Sequence, residues 1–63
     1  MPKPEMSRAK IVARLQSEGW TFDRHGGDHD IYIHIERGMI AVPRHRHLSP
    51  GVARAIARQA GWN

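Results

Sequence analysis

Apolar residues recur along this chain with two different periods, and the change from one to the other divides it into five elements. Behind Ser7, the positions Ile11, Val12 and Leu15 fall on one side of a 3.6-residue turn, while Lys10, Arg14 and Glu18 fall on the wetter side. Ser7 offers a capping hydroxyl and Gly19 a C-terminal stop, which predicts a first helix from Ser7 or Arg8 to Glu18. Trp20 to Arg24 then alternates large apolar with polar residues, the period of a half-buried strand. His25-Gly26-Gly27-Asp28 reads as a turn, with two glycines free to take positive φ. The clearest alternation runs from His29 to Glu36, with Ile31, Ile33 and Ile35 on one face and Asp30, Tyr32, His34 and Glu36 on the other. Arg37-Gly38 leads tightly into a third short strand, Met39 to Val42, which ends at Pro43. After the basic stretch Arg44-His45-Arg46-His47-Leu48, Ser49 as N-cap and Pro50 at the first helical position open a last helix. Its apolar stripe is Val52, Ala53, Ile56 and Ala60, and Gly61 closes it; Trp62-Asn63 is left as a tail able to fold back on the core.

The order is therefore α-β-β-β-α. Short turns between consecutive strands make the sheet antiparallel, and both helices must cover one of its faces, an α+β two-layer sandwich. The isoleucine face of the central strand is expected to be the covered one, leaving Tyr32 and His34 on a face that water can reach. Residues 1–6, with two prolines and no pattern, read as a flexible lead-in, and residues 7–63 as a single domain. Sixty-three residues leave no room for a second one. A chain this short buries only about 60% of its unfolded surface, and with no cysteine to form a disulfide its stability should be about 3–5 kcal/mol.

Nothing in the sequence has the roughly 20 apolar residues of a membrane span or the apolar core of a signal peptide, so a soluble, cytoplasmic protein is expected. Charge changes the picture more. The net charge is +4, yet residues 1–36 carry all six acidic residues. Residues 37–63 carry Arg37, Arg44, Arg46, Arg54 and Arg58 and no acid. A basic half on a small domain is the footprint of a polyanion partner, although a solvated arginine surface has the same composition.

Three groups of residues carry candidate chemistry. His29 stands where a glycine turn hands over to the central strand, and Gly26 and Gly27 let backbone N–H groups approach a phosphate closely. A histidine there is placed to take the proton of a ribose 2′-hydroxyl, so that the RNA supplies its own nucleophile and no metal is needed. On spacing alone, a surface histidine opening a strand after an ordinary hairpin is the commoner case. Arg44 and Arg46 in the loop, with Arg54 and Arg58 four apart on the last helix, are candidate phosphate contacts. Five histidines with Asp28 and Asp30 raise the question of a metal, but His25-x-x-x-His29 spans a turn and His45-x-His47 lacks a second ligand pair. No metal and no other cofactor is expected.

The ordered pieces Glu18-Gly19-Trp20, Gly27-x-His29-x-x-Tyr32, Ala41-Val42-Pro43 and Leu48-Ser49-Pro50-Gly51, followed by Ile56, Gln59, Ala60 and Gly61, resemble the HicA toxins. These are small mRNA interferases of bacterial and archaeal toxin–antitoxin pairs, and the resemblance runs from Ser7 to Trp62. It implies the fold of a double-stranded-RNA-binding domain, and metal-independent endoribonuclease activity through the histidine of a Gly-x-His motif, here His29. It also implies mRNA as substrate and a HicB-type antitoxin as partner. The family's usual serine is replaced by Asp28, with Asp30 following, which puts negative charge beside the imidazole where it opposes an incoming phosphate. His25, His34 or water is left to protonate the leaving 5′-oxygen. A non-catalytic RNA-binding module of the same fold is the alternative function, and a metal-binding regulator a more remote one.

Overall fold

A computed structural model describes residues 4–62. It runs α1 (Arg8–Ser17), β1 (Thr21–Gly26), β2 (His29–His34), β3 (Gly38–Pro43) and α2 (Pro50–Ala60), with the strands in the order β1-β2-β3, all antiparallel. The layout is the α-β-β-β-α arrangement of a double-stranded-RNA-binding domain, with both helices on one face of the sheet. Each helix begins at the predicted hydroxyl: Ser7 accepts from the Lys10 N–H, and Ser49 from the Val52 N–H ahead of Pro50. Gly61 ends α2 at φ 79°, a left-handed position that only a residue without Cβ takes at low cost. Of the expected lead-in, residues 1–3 lie outside the described residues. Met6 packs against the core, and its carbonyl accepts from the Leu48 N–H at 2.9 Å.

The expected burial of β2 is reversed. Tyr32, only 5% exposed, joins Trp20, Ile40 and Val42 of the sheet against Ile11 and Leu15 of α1 and Ala53, Ile56 and Ala60 of α2. Ile33 is exposed and Ile35 is 98% exposed. The reason lies in the register. Tyr32 stands opposite Phe22 on β1 and Ile40 on β3, and Asp30 opposite Val42, so the even positions of β2 share a face with the two β-branched apolar residues of β3. The β2–β3 part of that surface, Tyr32 with Ile40 and Val42, takes the helices. The odd positions look away from them, and there Ile31 is buried locally while Ile33, Met39 and Ala41 remain exposed.

Two strand boundaries also moved. Strand β1 runs on to Gly26, so the hairpin has only two loop residues, Gly27 and Asp28, between the paired Gly26 and His29. Gly27 takes φ 63° and Asp28 does not take positive φ, the signature of a type II′ turn with glycine at its first central position. Strand β2 stops at His34, because Ile35 to Arg37 turn the chain toward Gly38. A bulge at Asp23 shifts the β1 register, so Phe22 and His25 lie on the same, helix-covered face instead of alternating.

Candidate active site at the β1–β2 hairpin

His29 is the first residue of β2, paired with Gly26 on one side and Pro43 on the other. Its parity places it on the helix-free face with Ile31. A Cβ on Gly26 would lie 3.1 Å from His29 Nε2 and 3.7 Å from Ile31 Cγ1, so the imidazole lies across the backbone of β1 in space that Gly26 leaves open. The His29 side chain is 38% exposed. Its Nδ1 is 3.3 Å from Asp28 Oδ1. The hydrogen bond from His29 holds the Asp28 carboxyl below the usual carboxylate range, with the nearby charge of His45 adding to the effect. An ionised carboxylate only accepts, so Nδ1 carries a proton, and in the neutral ring Nε2 is then the nitrogen with the lone pair. That tautomer suits a general base.

On the helix-covered face, one residue from the hairpin, is a second titratable cluster. Asp30 is buried, 7% exposed, and both its oxygens are engaged. His25 Nδ1 donates to Oδ1 at 2.6 Å, and Arg8 Nη2 donates to Oδ2 at 2.7 Å. The His25 hydrogen bond, reinforced by the charges of His25, Arg8 and Arg44, lowers the Asp30 pKa against the opposing effect of burial. Arg8 Nε also donates to the Pro43 carbonyl at 2.9 Å. Arg44 donates through Nη2 to the Gly27 carbonyl and through its backbone N–H to the Asp28 carbonyl at 3.0 Å. The hairpin is thus tied to α1 and to the chain beyond β3. Sequence reading missed this cluster. Its one signal was the unpaired acid at Asp30, whose partner Arg8 is 22 residues away.

The other candidates disperse. Arg44 reaches the hairpin, but Arg46 is exposed beside a shallow basic cleft lined by Ser7, Arg8, Ala9 and His47. Arg54 and Arg58 are exposed on α2, in the layer on the other side of the sheet from His29. Of the two expected turn glycines only Gly27 takes positive φ and supplies the turn; Gly26 ends β1 and makes room for the imidazole. His34 is fully engaged. Its Nδ1 accepts from the Glu36 N–H at 3.0 Å, which leaves Nε2 to donate to the Glu18 carbonyl at 3.2 Å, while its ring packs on Trp20. His25 projects on the opposite face from His29. Neither histidine therefore stands beside His29 as its acid. Among the described residues no three His, Asp or Glu side chains converge as a metal site.

The class is that of a small domain of double-stranded-RNA-binding layout, with His29 half-exposed on the helix-free face of a glycine hairpin. A family model described as the HicA toxin of bacterial toxin–antitoxin matches residues 8–62, and the chain belongs to that family. No curated protein and no solved structure matches it significantly. Membership makes the protein a toxin component with an antitoxin as counterpart. No helix among the described residues is long and apolar enough to cross a membrane.

Proposed function

We propose that this chain is a metal-independent endoribonuclease that cuts mRNA with His29 and is held inactive by a HicB-type antitoxin in the cytoplasm. The observation that carries the reading is the free Nε2 of His29, half-exposed over Gly26 at the position of the family's Gly-x-His motif. Nε2 removes the proton of a ribose 2′-hydroxyl, and the oxygen forms a bond to the adjacent phosphorus as the bond to the 5′-oxygen breaks. Water protonates that leaving oxygen. The products are a 2′,3′-cyclic phosphate and a 5′-hydroxyl end. Acid–base catalysis by one positioned group contributes about 10²–10⁴-fold, so turnover is modest. Arg44, at the hairpin, and Arg46 supply phosphate contacts, with Arg54 and Arg58 holding more distant parts of the strand.

The helix-free face supports the partner reading. It carries exposed Ile33 and Met39 and ends at His29, so a protein that buries the apolar patch also closes the site. One observation favours a non-catalytic RNA-binding module instead: the ionised Asp28 carboxylate beside His29 repels the substrate phosphate. Induced expression of the wild type and of His29→Ala, with growth and total RNA followed, separates the two. The nuclease reading expects arrest and RNA breakdown with the wild type alone. Breakdown by both proteins contradicts the role of His29, and breakdown by neither points to the binding module.

A further inference from the structure

His25 combines two properties that seldom occur together in a histidine. Its side chain is 65% exposed, yet its ring is held in one orientation. The buried Asp30 carboxylate fixes Nδ1 at 2.6 Å, and the Phe22 ring packs against the imidazole at 5.0 Å between centroids. The Asp23 bulge is what brings Phe22 and His25 to the same face. Because Nδ1 is committed to Asp30, the opposite nitrogen, Nε2, is directed away from the carboxylate.

The charges around it do not balance. Asp30 is neutralised by Arg8 at 2.7 Å, and Arg8 is further anchored on the Pro43 carbonyl. Arg44 is surplus: its Nε is 3.9 Å from Asp30 Oδ1, and its Nη1 lies 3.3 Å from His25 Nδ1. Both of those nitrogens carry hydrogens, so this is proximity of two donors and not a hydrogen bond. The exposed rim therefore holds one guanidinium and one oriented imidazole that share with Arg8 a single carboxylate, Asp30, so positive charge is in excess. With its second nitrogen protonated as well, His25 joins Arg44 as a preorganised pair of donors with excess positive charge, which is what a phosphate oxygen requires.

We propose that His25 and Arg44 form a second phosphate seat, taking a backbone phosphodiester of the RNA strand whose reacting nucleotide lies at His29. The proposal rests on the RNA-cutting reading, since it assigns one more grip on the same strand. His25 and His29 flank the same two-residue hairpin from opposite faces of the sheet, so a strand passing around the hairpin meets both. Nε2 donates to a phosphate oxygen only in the doubly protonated ring, so the seat strengthens on acidification. The charged groups facing His25 are Asp30 on β2, Arg8 on α1 and Arg44 beyond β3.

The test uses the full chain and a 2′-O-methyl oligoribonucleotide, which has no nucleophile and cannot be cut. Affinity is measured by fluorescence anisotropy at pH 6 and pH 8 over a range of salt. At pH 6 His25→Gln should bind about fivefold more weakly than the wild type, the effect of one exposed charge-assisted contact. Its salt slope should be smaller by about 0.7, the value for one phosphate of a single strand. His25→Lys, charged at both pH values, should bind as tightly at pH 8 as at pH 6. Unchanged affinity and slope in His25→Gln overturn the seat while leaving the nuclease reading intact. Lysine as weak as glutamine overturns it too, because the loss is then one of packing. A wild type that does not bind the oligonucleotide brings down both.

Discussion

The two faces of the sheet are built from similar apolar material and have opposite fates. One carries Tyr32, Ile40 and Val42 under both helices, with Phe22 exposed at its β1 edge; the other carries Ile31, Ile33, Met39 and Ala41 and is covered by neither helix. Each ends at the same hairpin in a histidine and an aspartate, but these differ as well. On the covered face His25 is tied to a buried carboxylate that Arg8 neutralises, a pairing that also docks α1. On the open face His29 has only the exposed Asp28 beside it and keeps Nε2 free over a glycine. The covered face makes the fold. The open face carries the proposed catalytic histidine and the proposed partner surface.

The largest effect that separates the faces should be on stability. Ile40→Ala, at a fully buried position, is expected to cost about 2–5 kcal/mol, comparable with the whole stability of a domain this small. Ile33→Ala on the open face should cost only about 0.5 kcal/mol. Urea unfolding monitored by tryptophan fluorescence compares the two, and equal losses would mean that the open face contributes to the core after all.

A smaller effect concerns the glycine beneath His29. Gly26→Ala places a Cβ 3.1 Å from Nε2, which must move by a few tenths of an ångström. Cleavage should fall about tenfold with folding retained, since misplacing a catalytic group by 1 Å can cost about 10²-fold. Rates on a labelled oligonucleotide, read beside circular dichroism, check this. An unaffected rate would mean that the imidazole works from another position.

The smallest effect is one of pH. Folding lowers the pKa of Asp30, so its contribution is present above the ordinary carboxylate range and is lost as the pH falls through the folded value. Wild type should therefore exceed Asp30→Asn in stability at pH 7, with the gap narrowing at pH 3. Asp28 and Glu18, the latter lowered chiefly by the Trp62 indole N–H and then by Arg14, act in the same direction in both proteins and largely cancel in the comparison. A gap independent of pH would show that the Asp30 network stabilises the fold by shape and not by charge.

The helices were legible because their signals are local: Ser7, Ser49-Pro50 and Gly61 cap them through atoms a few residues away. The element order was legible for the same reason. The facing of β2 was not, because by transfer of the side chain to hydrocarbon isoleucine outranks tyrosine and histidine. What decides it is Ile40 and Val42 on a neighbouring strand, through a register that no local pattern encodes. His29 was picked out by its glycines and by family resemblance, whereas its openness follows from the reversed face. The pairing of His25 with Asp30 was not legible, because its orientation depends on a bulge at Asp23 and on a carboxylate of the neighbouring strand. Trp62 does fold back, its indole donating to Glu18 Oε1 at 2.6 Å under the Arg14 guanidinium.

The central claim, that His29 cuts RNA from the open face without a metal, is tested most directly with purified wild type and His29→Ala in excess chelator. A 5′-labelled RNA is incubated with each and the new 3′ ends are analysed. The account predicts 2′,3′-cyclic phosphate ends from the wild type, and cleavage by a folded His29→Ala reduced by at least about 10²-fold. Equal cleavage by the two proteins, or wild-type cleavage that stops when metal is removed, would contradict it.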